Sequence, residues 1–371
     1  MVGVLEERTF SEVKRLCCAG RLDGPALLGE VIERLRRVVS FEGYCASTKD
    51  PASGFITHGL AEGMGGADDI FWSLERLYFD HHQSVRHMVD THRSVTLLSE
   101  ATGGDLERST RYVEYLRPIG HAHEMCGAFT SGGYLWGSMD LVRESGSPDF
   151  EPREANLLRR IAPHLGNGLK IAALRTQTPV EEAVTDMPGL LTLDHRGRVV
   201  QHTPAAERWL RDLEDLGPEW RELDDLPRAL QTVVLSLRRA LSPERDRDGQ
   251  IIPTLRARAR SGRWLTLYGS LTETTPERGA ETVIIIEPTK PEELLPFSMS
   301  AYGLSPREEE IVKLVVRGLS TKRISRTLFI SEYTVENHLR SVFEKVSVRS
   351  RGELVKRLFF DNLYPTLFGG L

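Results

Sequence analysis

Apolar residues near the N-terminus recur at spacings of three and four: Val13, Leu16, Leu27, Leu28, Val31, Leu35 and Val38. That period predicts helices. Farther along, 125–129 and 134–141 are apolar runs on either side of Thr130-Ser131-Gly132-Gly133, and they read as two strands around a turn. The stretch 151–169 returns to helical spacing, with Ala155, Leu158, Ile161, Ala162 and Leu165 on one side. Pro163 is expected to perturb that helix, because it lacks a backbone N–H.

After the polar, proline-bearing linker 176–179 the pattern starts again. Residues 190–193 and 198–202 flank Asp194-His195-Arg196-Gly197 and predict a hairpin. Helix signals follow at 204–213, with proline near its start, and at 226–241. The β-rich runs 252–259, 264–271 and 282–287 complete a segment expected to be an α+β sheet domain. A second linker, 288–296, holds Pro288, Pro291 and Pro296.

The last segment carries the clearest local signals. Ser305-Pro306-Arg307-Glu308 has the form of a capping box ahead of Ile311, Leu314 and Val315, and Gly318 ends that helix. Ser320 opens a second short helix with Ile324 and Leu328 inward. Ser331 opens a third, with Val335, Leu339, Val342, Phe343 and Val346 inward. Ser350-Arg351-Gly352-Glu353 reads as another capping box, starting a fourth with Leu354, Val355 and Leu358 inward. Only Phe329-Ile330 separates the second and third helices, which suits a helix-turn-helix.

Charge changes the picture. The whole chain of 371 residues is at −5, with 40% hydrophobic and 27% charged residues. That composition belongs to globular material. Yet 303–371 holds twelve Lys and Arg against eight Asp and Glu, and 317–351 holds eight against three. An acidic body with a basic C-terminal module is the balance expected of a regulatory part joined to a DNA-contacting part. With the third helix's apolar set turned inward, Tyr333, Glu336, Asn337 and Arg340 share its outer surface. Asn can bond adenine with two hydrogen bonds, Arg can do the same to guanine, and Glu can accept from the cytosine amino group. Lys322, Arg323, Thr334, Lys345, Arg349 and Arg351 flank that surface as candidate phosphate contacts. The plainer alternative is a four-helix domain whose Glu336 and Arg340 form a surface ion pair.

Residues 303–355 closely resemble the LuxR-type helix-turn-helix of bacterial transcription regulators. The resemblance is carried by LSPRE at 304–308, GLS at 318–320, ISEYTVENHL at 330–339 and VRSR at 348–351. It implies that the helix from Ser331 is the recognition helix and that Glu336, Asn337 and Arg340 contact bases. It also implies that the final helix, 350–360, pairs two protomers. Many members carry Lys at position 336 and Glu at 323, where this chain has Glu336 and Arg323. Those departures bear on base preference and on a phosphate contact, not on the fold. Residues 188–288 resemble a PAS domain, through PGLLTLDHRGRVVQHTPAAERWL and SGRWLTLYGSL. Residues 20–175 resemble a GAF domain, through YLWGSMDLVRES and DFEPREANLLRRIAPHLGNGL. The expected organisation is therefore multidomain: two α+β sensor domains, GAF-like over 1–178 and PAS-like over 180–290, and an all-α four-helix LuxR-type domain over 297–371.

His121 and His123 alternate near Cys126, but no HExxH or zinc-ligand spacing accompanies them, and no metal or cofactor is expected. The four cysteines form no CxxC pair, and the N-terminus has acids where an export signal carries bases, so a cytoplasmic location is expected, with no membrane association. No phosphate-binding loop or nucleophile elbow is visible, and no catalytic activity is expected. The expected function is a transcriptional regulator that binds a near-palindromic operator in double-stranded DNA as a homodimer. An unidentified small-molecule effector would act at the N-terminal domains, and RNA polymerase is a further candidate partner. The alternative is a ligand-binding or dimerising signalling module that works through protein contacts.

Overall fold

The computed structural model describes residues 2–64, 85–174, 187–194, 196–213, 226–240, 254–272, 281–290, 293–295, 299 and 302–360. The linker at 176–179 lies outside them, as do His195 and two prolines of the second linker, Pro291 and Pro296.

Helices α1 (Val2–Ala19) and α2 (Gly24–Leu35) form where the spacing predicts them. The Asp23 carboxylate accepts from the Ala26 N–H, and Pro25 sits in the first turn of α2. Strands β1 (Gly43–Lys49), β2 (Ile56–Glu62), β3 (Val95–Leu97), β4 (His121–Ser131) and β5 (Tyr134–Glu144) follow. They make one antiparallel sheet in the order β2-β1-β5-β4-β3. Short helices α3 (Val85–Asp90) and α4 (Leu98–Thr102) lie on either side of β3 in sequence. The β4–β5 hairpin is longer than its apolar runs suggest, and Gly132 and Gly133 supply the positive φ of its turn.

Helix α5 (Pro152–Leu174) runs unbroken through Pro163. Pro163 does not end the helix: it lies on the exposed side, where the carbonyl of exposed Arg159, which loses its helical partner, can turn to water. Its other side buries Leu158, Ile161, Leu165 and Leu169. Gly166 lets the helix axis sit directly on the Thr130 backbone, and Gly168 makes the same close approach to Cys17 and Leu27.

The second sheet has β6 (Gly189–Leu193), β7 (Val199–His202), β8 (Thr254–Arg258), β9 (Trp264–Leu271) and β10 (Thr282–Pro288), in the order β7-β6-β10-β9-β8. All its pairings are antiparallel. Helices α6 (Pro204–Asp212) and α7 (Arg228–Ala240) pack on it around Leu191, Leu193, Trp209, Leu230, Val233 and Ile284. Thr203 caps α6 by accepting from the Ala206 N–H. Both sheets belong to one compact body, and the helices from Thr289 onward make up most of a second.

β4 bulges between His121 and His123. His121 Nε2 lies 2.8 Å from the Gly63 carbonyl, and His123 Nδ1 lies 3.5 Å from an Asp149 oxygen, so each ring has a local partner of its own. Cys126 is buried on β4. Among the described residues no group of three His, Cys, Asp or Glu is placed to hold a metal, and no helix is long and apolar enough to cross a membrane.

A Cβ added at Gly166 would land on the Thr130 carbonyl, which backbone pairing to β5 holds in place. Gly166→Ala is expected to destabilise the sheet body by about 1–3 kcal/mol. The midpoint of chemical denaturation should fall accordingly, and an unchanged midpoint would mean that α5 does not sit this close to the hairpin.

Candidate nucleic-acid interface

Among the described residues the C-terminal body has four α-helices, α8 (Pro306–Val316), α9 (Thr321–Leu328), α10 (Glu332–Val346) and the short α11 (Arg351–Val355), the last continued by a π-helical turn, Lys356–Phe360. Each starts at a serine whose hydroxyl accepts from a backbone N–H three residues on: Ser305 from Glu308, Ser320 from Arg323, Ser331 from Thr334 and Ser350 from Glu353. The core between them is Ile311, Val312, Val315, Ile324, Val335, Leu339, Val342, Val346, Leu354 and Leu358.

The first capping box is complete, because Glu308 Oε2 accepts from the Ser305 N–H at 2.7 Å. The expected second box is not. Glu353 Oε2 reaches one residue farther back and accepts from the Arg349 N–H at 2.8 Å. The Ser350 backbone is extended, with φ −146°, and that displaces its own amide from the carboxylate.

Glu308 also carries a second function. Its Oε1 accepts from Ser341 Oγ at 2.7 Å, and its Oε2 lies 2.6 Å from Lys345 Nζ. The side chain is only 5% exposed. Burial works against its charge. The Lys345 ammonium and the hydrogen bonds from Ser305 and Ser341 outweigh that and hold the carboxyl down at about 2. One carboxylate therefore caps α8 and fastens α10 to it.

α9 ends at Phe329 in the left-handed conformation, φ +54°, and its N–H donates to the Ser325 carbonyl. Ile330 N–H donates to that same carbonyl, so the link to α10 is the tight turn expected of a helix-turn-helix. Arg307 of α8 reaches across to the Leu328 carbonyl at 2.9 Å and closes the end of α9. α10 ends at Ser347, also left-handed at φ +59°.

On α10, Val335, Leu339, Val342 and Val346 are buried, while Tyr333, Glu336, Asn337 and Arg340 are all exposed on the other side. Among the described residues neither Glu336 nor Arg340 has an ion-pair partner, so the surface pair of the plainer alternative does not form. Lys322, Arg323 and Arg349 are exposed beside this face. Thr334 is half-buried, and its hydroxyl lies 2.7 Å from Ser331 Oγ. Two of the expected phosphate contacts also bond within the domain. Lys345 is committed to Glu308, and Arg351 Nη1 donates to the Leu319 carbonyl at 3.0 Å. Each bond uses one donor of its cation, and Lys345 stays 37% exposed beside Glu308.

Sequence reasoning missed Ser341, Arg307 and the display of Phe329, which is 94% exposed in the turn. Ser341 and Lys345 stand four apart and so share a side of α10, but nothing local indicates that Glu308 is what they face.

A protein-family model described as bacterial regulatory proteins of the luxR family matches residues 302–358. The spore germination protein GerE of Bacillus subtilis is 42% identical over 55 residues, which are 15% of this chain and 74% of GerE. The chain belongs to the LuxR family. The LuxR-type helix-turn-helix is therefore the C-terminal body just described. A protein of Mycobacterium tuberculosis named as a putative HTH-type transcriptional regulator is 46% identical over 53 residues, 14% of this chain and 6% of that relative. The monoamine regulon transcriptional regulator of Klebsiella aerogenes is 45% identical over 64 residues, 17% of this chain and 28% of that protein. A crystal structure of Escherichia coli SdiA covers 94% of this chain and 95% of its own, at a TM-score of 0.30 and 10% identity, an overlap too loose to bear on either sheet.

Because the folded-state carboxyl of Glu308 lies below its ordinary value of 4.5, its contribution is complete above that value and is lost as pH falls toward 2. Glu308→Gln is expected to cost about 3 kcal/mol at neutral pH and to converge with the parent protein near pH 2. Denaturation midpoints of the helical body across that range check it, and parallel curves for the two proteins would contradict it.

Proposed function

We propose that this protein is a DNA-binding transcription regulator that places α10 in the major groove. The reading rests chiefly on one observation: Tyr333, Glu336, Asn337 and Arg340 project from one side of a helix whose other side is anchored in the core. Hydrogen-bonding side chains kept together in water at helical spacing are suited to base edges. Lys322, Arg323 and Arg349 would hold phosphates and set the register, with Thr334 beside them. Lys345 and Arg351 are the further proposed phosphate contacts, and each also ties helices of the domain together.

Two such modules in a homodimer would meet successive major grooves of a near-palindromic operator. The two sheet segments, GAF-like over 1–178 and PAS-like over 180–290, are the proposed sensors. A small-molecule effector there would act by binding two conformations of the protein with different affinity. The protein is proposed to act in the cytoplasm, without catalysis of its own, and RNA polymerase is the partner that activation would require.

Immunoprecipitation of the full-length protein with its genomic DNA should recover a family of related sites. On such a site, Arg340→Ala and Asn337→Ala are each expected to weaken binding by about 1–3 kcal/mol and to relax base preference locally. Arg323→Ala should weaken binding to all sequences alike and lower the slope of affinity against salt by about one counterion. If neither Arg340→Ala nor Asn337→Ala changes specific affinity, the assigned face is wrong. If the full-length protein binds no DNA with salt dependence, the protein-contact alternative takes its place.

A further inference from the structure

The edge strand β8 grips the first sheet segment at two places. Its core side carries Leu255 and Ala257, so Arg256 and Arg258 share the opposite side. The Arg256 N–H donates to Asp50 Oδ2 at 3.1 Å, and its guanidinium lies 3.8 Å from the same oxygen. Asp50 directly follows β1 and is fully buried. Its carboxylate also accepts from the Ala52 N–H and from Ser53 Oγ, which shapes the β1–β2 turn around it. The same turn is held at two further points. Phe55 packs against the core of the second sheet, and the Thr232 hydroxyl of α7 lies 3.1 Å from the Ile56 carbonyl and 2.8 Å from the Arg228 carbonyl, between which its proton is shared.

Arg258, two residues along, donates to the Ala172 and Ala173 carbonyls at 2.7 and 3.1 Å. These carbonyls belong to the last described turn of α5, toward the negative end of its dipole. A guanidinium there makes strong, charge-assisted bonds. Among the described strands only β9 pairs with β8, so the contacts on its outer side help to fix where it lies.

We propose that the Asp50 turn and β8 form one brace, through which the β1–β2 turn controls the order of the last turn of α5. A signal that loosens residues 50–56 would slacken β8, withdraw Arg258 from the α5 carbonyls and release the end of the helix at Leu174. The coupling runs through three bonded links in sequence: Asp50 to Arg256, Arg256 to Arg258 along the strand, and Arg258 to Ala172 and Ala173.

Hydrogen–deuterium exchange on the full-length protein tests this. Arg258→Gln should speed exchange of the amides at 171–174 by about tenfold. Asp50→Ala should do the same, although Asp50 makes no hydrogen bond to α5. The double variant should exchange there no faster than Arg258→Gln alone, since both changes open one path. Thr232→Val, close to isosteric, keeps the question open to test if Asp50→Ala does not fold, and should also speed exchange at 171–174. Wild-type exchange there in Arg258→Gln would overturn the brace. So would wild-type exchange in Asp50→Ala or, where that variant does not fold, in Thr232→Val, or additive effects in the double variant.

Discussion

The Glu308 carboxylate is the interaction on which the helical body turns. A capping residue ordinarily serves its own helix, and here it also takes a hydroxyl and an ammonium from α10. The charge can stay buried because every bond to it favours the ionised form. Hydrophobic contact between α8 and α10 sets their distance but leaves rotation about the helix axis soft, since methyl groups are not directional. Two charge-assisted bonds a turn apart on α10, meeting at one carboxylate, remove that freedom. Spacing along α10 turns Asn337 and Arg340 outward, and these two bonds pin that face against rotation.

The rest of the module guards the same geometry. Arg307 closes α9 at the Leu328 carbonyl, and Arg351 reaches the Leu319 carbonyl beyond α8. Both are long cations spent on backbone oxygens that have no helical partner. Phe329 and Ser347 hold left-handed turns at the ends of α9 and α10 without glycine, at a cost in backbone energy that the packed helices on either side sustain.

In the sheet body, contacts of the same kind join parts far apart in sequence. Arg111 and Glu124 pair under cover, with Nη2 2.6 Å from a carboxylate oxygen. Arg143 donates to the Ser40 carbonyl and reaches Glu154 at the start of α5. A buried pair of this kind specifies one arrangement more than it adds stability, because removing the charges from water offsets much of their attraction. The two sheets repeat one solution: five antiparallel strands with helices laid over them, and alternating side chains deciding which face is closed.

The β4–β5 hairpin, the strands of the second sheet, the longer helices and the four serine starts were legible in the sequence because each depends on neighbours within a few residues, whereas β1, β2, β3, α3 and α4 were not. The periods of Leu158, Ile161 and Leu165, the turn at Gly132-Gly133 and the exposed side of α10 all follow from local spacing. Local chemistry was incomplete in three places. Pro163 sits within an unbroken helix because its ring faces water. Glu353 reaches past Ser350 because the backbone there is extended. Lys345 and Arg351 look like free cations and are not, since their partners lie 37 and 32 residues away. The chain alone determined what the legible segments become and which residues a helix turns outward. Only the assembled fold decided which charges are spent inside, because a long flexible side chain takes whatever oxygen packing brings within reach.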